Sequence, residues 1–175
     1  MTAATERQRP LRPLLFLDID GPLIPFGSPY PPPLAAPADA NPLLARIDPR
    51  IGARLSALGC SLVWATTWGE EANEVVAPLL GLPRLPVLGL PEESEEGEEG
   101  RGPRGLHWKT PALVAWAGGR PFVWVDDEVG AVDRQWVAAA HPGPALLHRV
   151  DPARGLQESD FRTIREWLAA LDRPS

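Results

Sequence analysis

Residues 14–22 read Leu14-Leu15-Phe16-Leu17-Asp18-Ile19-Asp20-Gly21-Pro22, and this stretch decides the fold. Four consecutive apolar residues without polar alternation describe a strand covered on both faces, as in the middle of a parallel sheet. Gly21-Pro22 then forces a sharp turn, so the strand ends in two carboxylates.

Two further runs have the same form. Ser61-Leu62-Val63-Trp64-Ala65 leads into Thr66-Thr67-Trp68-Gly69, and Phe122-Val123-Trp124-Val125 leads into Asp126-Asp127-Glu128. Helical patterns lie between and after them. Asp48 as N-cap and Pro49 as first helical residue start one, with Ile51, Arg54, Leu55 and Leu58 at helical spacing and Gly59 as its end. A second is expected over 70–80, stopped by Gly81, followed by a short apolar segment at 85–90 interrupted by Pro86. Thr110 is expected to cap a third with Pro111 at its first position and Gly118-Gly119 closing it. A helix over 131–140, a strand over 145–148 and a last helix over 160–171 complete the series, the last carrying Phe161, Ile164, Leu168 and Leu171 on one stripe. This alternation predicts an α/β fold, a three-layer sandwich around a mainly parallel central sheet.

Two segments break the pattern. Residues 21–42 are rich in proline, including Pro31-Pro32-Pro33, and are expected to run as an extended loop. Residues 92–100 read EESEEGEEG, six Glu in nine positions, which repel one another and bury nothing, so 91–105 is expected to be a mobile acidic loop. Residues 1–12 are expected to be flexible, and the whole of 1–175 to be one domain.

Composition narrows the function classes. Lys and Arg number 17 against 23 Asp and Glu, a net charge of −6, which excludes the broad basic face of sequence-independent nucleic-acid binding. The single cysteine, Cys60, excludes an internal disulfide and any multi-cysteine zinc site, and its apolar neighbours mark it as a small hydrophobe. His141 and His148 offer no ligand spacing with it, and His107 is expected to be a surface or satisfied core histidine. The seven Trp residues are scattered through the apolar segments, so most are expected to be core anchors. No apolar run has the length of a membrane span and the N-terminal residues lack a signal-type apolar core, so a cytoplasmic protein is expected.

Asp-x-Asp alone is a weak signal, shared with calcium loops, sugar-nucleotide transferases and ordinary turns. Its context strengthens it, because ligands of open α/β sheets bind beyond the carboxyl ends of the strands. Asp18 and Asp20, Thr66 and Thr67, and Asp126 and Asp127 all stand at such ends, and Lys109 precedes the helix leading into the third strand. Each has a structural competitor: turn capping for the first pair, helix capping for the threonines, a plain surface lysine, and helix-start charges for the last pair.

In order, LFLDIDG, VWATT, HWK and VWVDD resemble the four motifs of the haloacid dehalogenase (HAD) superfamily, over residues 14–127. The runs WATTWGEEAN and WKTPALVAWAGGRPFVWVDDE, with a later PALLHRVDP-x-x-GL, are more specifically similar to the HAD-like domain of Swiss Army Knife RNA repair proteins. The resemblance implies a HAD-like, Rossmannoid phosphohydrolase. It makes Asp18 the nucleophile that forms an aspartyl-phosphate, and Asp20 the acid that protonates the leaving group and later activates water. Thr66, with Thr67 as second candidate, would hydrogen-bond the phosphoryl group, and Lys109 would neutralise it together with the nucleophile. Metal ligands would be Asp18, the main-chain carbonyl of Asp20 and one of the terminal pair, with Asp127 favoured as direct ligand and Asp126 as the residue orienting Lys109 or a metal-bound water.

Charge supports a metal. Four carboxylates around one ammonium leave about three uncompensated negative charges, and each like pair at ~4 Å costs on the order of 4 kcal/mol at an effective dielectric of ~20. An all-oxygen site of this kind suits Mg2+.

Between Asp20 and Thr66 lie 45 residues and between Thr67 and Lys109 lie 41, too few for a full cap domain in either place. In the superfamily that the chain resembles, cap insertions usually set substrate choice; a minimal cap or none is expected here, leaving an open site that suits a bulky substrate such as an RNA or DNA end, a protein or a nucleotide better than a small sugar phosphate. Arg84, Arg101, Arg104 and Arg120 are candidates for lining the entrance. Two other function classes compete: a non-catalytic phosphate-binding module of a repair or regulatory assembly, and a metal site for sugar-nucleotide transfer.

Overall fold

The computed structural model describes residues 11–27, 41–89 and 105–173. The expectations for the N-terminal ten residues, for the proline-rich stretch over 28–40 and for the acidic segment over 90–104 lie outside them.

Four strands, β1 (Leu14–Leu17), β2 (Ser61–Trp64), β3 (Phe122–Asp126) and β4 (Ala145–Arg149), form one parallel sheet in the order β2-β1-β3-β4. The continuous apolar runs of β1 and β3 are explained by this order, since both are interior strands and every residue of each is buried. The edge strands β2 and β4 are covered less completely. The segment expected at 85–90 adds one further link, a parallel bridge from Val87 to Trp64 outside β2. Pro86 gives its carbonyl there, accepting from the Trp64 N–H at 2.9 Å, a role that needs no N–H of its own.

Helices cover both faces. On one, α1 (Arg50–Ala57), α2 (Ala77–Leu80) and α5 (Glu158–Leu171) bury Ile51, Leu55, Leu80, Phe161 and Ile164 against Leu15, Leu17, Val123 and Val125. On the other, α3 (Thr110–Ala117) and α4 (Ala131–Ala140) bury Leu113, Ala117 and Val137 against Leu14, Phe16, Phe122 and Trp124. Alternate side chains of β1 and β3 thus serve opposite cores, as the two-residue period of a strand requires. This is the expected three-layer α/β sandwich. Among the described residues, neither insert forms a separate capping domain.

Local details differ from the sequence reading. Residues 72–76 wind as a π-helix (Ala72–Val76) before α2, with the Ala77 N–H reaching back to the Ala72 carbonyl. Pro78 accounts for this: without an N–H, and with a ring that crowds the preceding turn, it disfavours a regular α-helix through this segment. Thr110 does not cap α3. Lys109 holds the N-cap position, Thr110 is the first helical residue, and its hydroxyl instead donates to Asp133 Oδ1 at 2.8 Å. At α1 the boundary moves by one residue: Pro49 is the N-cap, and Asp48 Oδ1 accepts from the Arg50 N–H at 2.9 Å. Of the tryptophans, Trp64 and Trp124 are fully buried and Trp68, Trp136 and Trp167 pack partly buried against the cores, whereas Trp116 is exposed.

Candidate active site

The chain steps from β1 to β2 on one side, then crosses back over β1 to β3, so the winding direction reverses between β1 and β3. Strand ends part at such a switch point and leave a crevice. The register brings Leu17 beside Val125, and the Asp18 N–H donates to the Val125 carbonyl at 3.1 Å, which sets Asp18 next to Asp126.

Lys109 joins the two. Its ammonium lies 2.9 Å from Asp18 Oδ2 and 2.9 Å from Asp126 Oδ2, with side-chain exposure of only 4% for the lysine, 10% for Asp18 and none for Asp126. Asp126 is saturated by the protein: Oδ2 also accepts from Trp124 Nε1 at 3.2 Å, and Oδ1 from the Glu128 N–H at 2.9 Å. Asp18 Oδ1 accepts from the Ile19 N–H at 2.8 Å. Burial lifts the Asp18 carboxyl to about 7, against the pull of Lys109 and with a further push from Asp126. Burial opposes the charge of Lys109, but Asp18 and Asp126 outweigh it and raise its pKa.

Asp127, half-buried beside them, is raised to about 6 by burial and then by the charge of Asp126. Gly21 makes room for it. A Cβ on Gly21 would stand 2.6 Å from Asp127 Cγ, and its φ of +90° is itself a conformation that favours glycine. Asp20 is half-buried on the turn after β1, and its Oδ2 accepts from Trp68 Nε1 at 2.9 Å.

The two threonines separate. Thr66 is buried, and its hydroxyl oxygen stands 3.4 Å from the Trp68 N–H it accepts. Thr67 is exposed and lines the cleft, which has a volume of about 290 Å³ and is also lined by Asp18, Asp20, Lys109 and Asp127.

Three more cleft residues were not singled out in the sequence: Phe26, Trp108 and Glu128. Phe26 is exposed, and the Lys109 ammonium stands 5.9 Å from the Trp108 ring centroid. An aromatic beside a motif lysine is the only sequence signal for Trp108, and it is weak. Also missed was Asp133, a fully buried carboxylate whose Oδ1 accepts from the His107 N–H and the Thr110 hydroxyl and whose Oδ2 accepts from the Gly130 N–H. It clamps the segment carrying Lys109 onto the start of α4.

The histidines are structural in geometry. His107 is buried, accepts the Lys109 N–H at Nδ1 and meets Glu128 Oε2 at 2.9 Å through Nε2. His148 pairs with Asp160, and His141 with the Arg120 carbonyl. Cys60 is half-buried, and burial pushes its thiol up to about 11, far from a reactive thiolate. Of the arginines proposed for the entrance, Arg84 pairs with Glu70 and Arg120 bonds the Arg12 carbonyl, and neither lines the cleft; Arg101 and Arg104 lie outside the described residues.

Asp18, Asp126 and Asp127 present oxygens within 4.8 Å of one another. Two ionised carboxylates at that spacing repel by about 3 kcal/mol at an effective dielectric of ~20. Such a hard, all-oxygen and electron-rich set fits a small divalent cation. His107, Asp126 and Glu128 also cluster, but both His107 nitrogens are already engaged.

Residues 14–161 match the family described as the HAD domain in Swiss Army Knife RNA repair proteins. The chain belongs to this family. The match takes in every residue of the cleft and its four motifs, so the HAD-like fold and a phosphohydrolase-type activity are what membership implies for this HAD domain. HAD domains generally use Mg2+, and the acidic cluster of this one stands where the sheet reverses. No curated protein and no solved structure matched the chain. Among the described residues, no helix of the HAD domain is long and apolar enough to cross a membrane.

Proposed function

We propose that this HAD domain is a Mg2+-dependent phosphomonoesterase working through an aspartyl-phosphate on Asp18. One observation carries the reading: the buried Asp18–Lys109–Asp126 arrangement, opening into a cleft that Asp20, Thr67 and Asp127 also line. A buried ionic cluster of this kind is an expensive way to stabilise a fold and a common way to organise charge for catalysis.

The residues divide the work as follows. A carboxylate oxygen of Asp18 attacks phosphorus, the bond to the leaving oxygen breaks, and that oxygen takes a proton from Asp20. Water then attacks the phosphoryl group on Asp18 while Asp20 recovers a proton from it, and the Asp18 carboxylate is released with inorganic phosphate. Lys109 balances the charge of Asp18 and of the phosphoryl oxygens, and Asp126, held by three donors, keeps that ammonium in place. In this reading Thr67, which lines the cleft, hydrogen-bonds the phosphoryl group, and Thr66, which accepts from the Trp68 N–H, shapes the turn that carries it. Mg2+, held by Asp18, Asp127 and the Asp20 main-chain carbonyl, would neutralise the remaining charge and polarise a phosphoryl oxygen.

The substrate we propose is a nucleic-acid end or a nucleotide. Phe26 and Trp108 offer aromatic surface to a base next to the phosphate site, and stacking on such rings tolerates any base. Glu128 on the cleft wall and the net charge of −6 favour one terminal phosphate over a long polyanion. The single half-buried cysteine suits the cytoplasm, where such substrates are found.

Hydrolysis of an aryl phosphate, of 5′- and 3′-phosphorylated oligonucleotides, and of a sugar phosphate should be compared with and without Mg2+. The expected result is metal-dependent release of phosphate, abolished in Asp18→Asn, with KM lowest for the nucleic-acid substrates. Tight binding of phosphorylated ends with no turnover, and no beryllium fluoride adduct at Asp18, would replace this reading with the non-catalytic module.

A further inference from the structure

Trp68 is half-buried and packs against the core cluster beneath α1, α2 and α5. Its indole N–H nevertheless leaves that core and donates to Asp20 Oδ2 at 2.9 Å, joining the turn after β2 to the turn after β1. The tryptophan is itself held: its backbone N–H donates toward Thr66 Oγ1 at 3.4 Å, and its ring is fixed by apolar neighbours. Among the described residues, Asp20 Oδ1 has no hydrogen-bond partner.

We infer that Trp68 is the positioning residue of the general acid, aiming Asp20 and choosing which of its oxygens handles the proton. This rests on the phosphohydrolase reading given above. An indole N–H only donates. It bonds best to a carboxyl oxygen that acts as acceptor, so when Asp20 is protonated the hydrogen resides on Oδ1. Oδ1 is then the atom that delivers the proton to the leaving oxygen as its bond to phosphorus breaks. After that step Oδ2 remains tied to Trp68, and Oδ1 is the oxygen that takes the proton from the attacking water. Trp68 is a neutral donor, so it fixes the orientation of the carboxyl group without placing a charge beside it. Without the anchor, Asp20 on its turn rotates among rotamers, only some of which face the leaving oxygen.

The test is a leaving-group series measured with Mg2+ for wild type, Trp68→Phe and Trp68→His, together with Asp20→Asn and the Trp68→Phe/Asp20→Asn double variant. A nitrophenolate leaves without a proton, whereas an alkoxide does not. Trp68→Phe is expected to lower kcat/KM, which reports the steps up to departure of the leaving group, about tenfold or more for alkyl phosphates and less than about twofold for p-nitrophenyl phosphate, because positioned proton transfer is worth roughly 10²–10⁴-fold. Trp68→His, which keeps a ring N–H, should recover part of the loss, and Trp68→Phe should change nothing further once Asp20 is Asn. Equal loss of kcat/KM across the series, or undiminished loss in the Asp20→Asn background, would overturn the assignment. Should Trp68→Phe fail to fold, Trp68→Leu, which likewise has no donor, replaces it in the same cycle and is read by the same criteria. A wild type that turns over the series while these criteria fail removes only the role of Trp68; a wild type that turns over nothing removes the hydrolase reading and this role with it.

Discussion

Lys109 Nζ stands 2.9 Å from Asp18 Oδ2, with both side chains almost wholly withdrawn from water. A lysine so placed has two jobs, since it meets the charge of Asp18 and that of Asp126 together. Replacing it by the neutral, similarly long Met leaves two buried carboxylates without their counter-charge. Lys109→Met is expected to cost about 3–5 kcal/mol of stability, and to reduce kcat/KM on the order of 10²-fold or more. Chemical denaturation and steady-state kinetics check the two effects, and a variant of unchanged stability would show that the ion pair is not formed in solution.

Gly21 and Asp127 share one volume. Gly21→Ala adds a Cβ where the Asp127 carboxylate stands and strains a backbone at φ +90°. The expected outcome is a loss of about 1–2 kcal/mol of stability from the backbone, and a fall of about tenfold to a hundredfold in Mg2+ affinity as Asp127 is pushed aside. Calorimetric titration with Mg2+ measures the second, and unaltered affinity would remove Asp127 from the proposed ligand set.

The threonines should give different phenotypes. Thr67→Ala is expected to raise KM for phosphate esters several-fold with little change in melting temperature, because Thr67 is exposed in the cleft. Thr66→Val is expected to lower stability by about 1 kcal/mol by leaving the Trp68 N–H short of its acceptor. Kinetics paired with thermal melts of both variants decide it, and a larger KM effect at Thr66 would give the phosphate contact to that residue instead.

Stability should depend on pH in a direction set by the raised carboxyls. Asp18 at about 7 and Asp127 at about 6 hold their protons more tightly in the folded chain than in the unfolded one, where both sit near 3.8. Between about pH 4 and 7 the metal-free native state therefore binds more protons, and these two groups make stability fall as pH rises through that window. Lys109, raised, contributes stability that is lost only well above neutral pH. Metal-free Asp18→Asn should accordingly exceed wild type in melting temperature at pH 7–8, with the difference shrinking toward pH 4. Mg2+ should stabilise wild type most at the upper end. Thermal melts of both proteins across the range, with and without Mg2+, measure this, and an advantage for Asp18→Asn that grows as pH falls would reverse the sign and refute it.

Much of the fold was legible because it is written in short-range pattern. Leu14–Leu17 and Phe122–Val125 read as interior strands because a strand buried on both faces cannot afford polar residues, and both proved interior. The π-turn before Pro78 and the N-cap role of Lys109 were not legible. Both are compromises between neighbouring segments, one with a proline further along the helix and one with Asp133 of α4.

By itself, the sequence determined the chemical inventory: the carboxylates at 18, 20, 126 and 127, the threonines after β2, the lysine before α3, and the strand ends that carry them. Only the tertiary structure decided their partnerships. That Asp126 is spent on Lys109 while Asp127 stays at the cleft, that Thr67 and not Thr66 lines it, and that Trp68 reaches out of the core to Asp20 are contacts across separate strand ends. The physical reason is range. Hydrophobic period acts between residues a few positions apart, whereas a hydrogen bond of 2.9 Å between residues 20 and 68 exists only once the sheet has set its strand order and register.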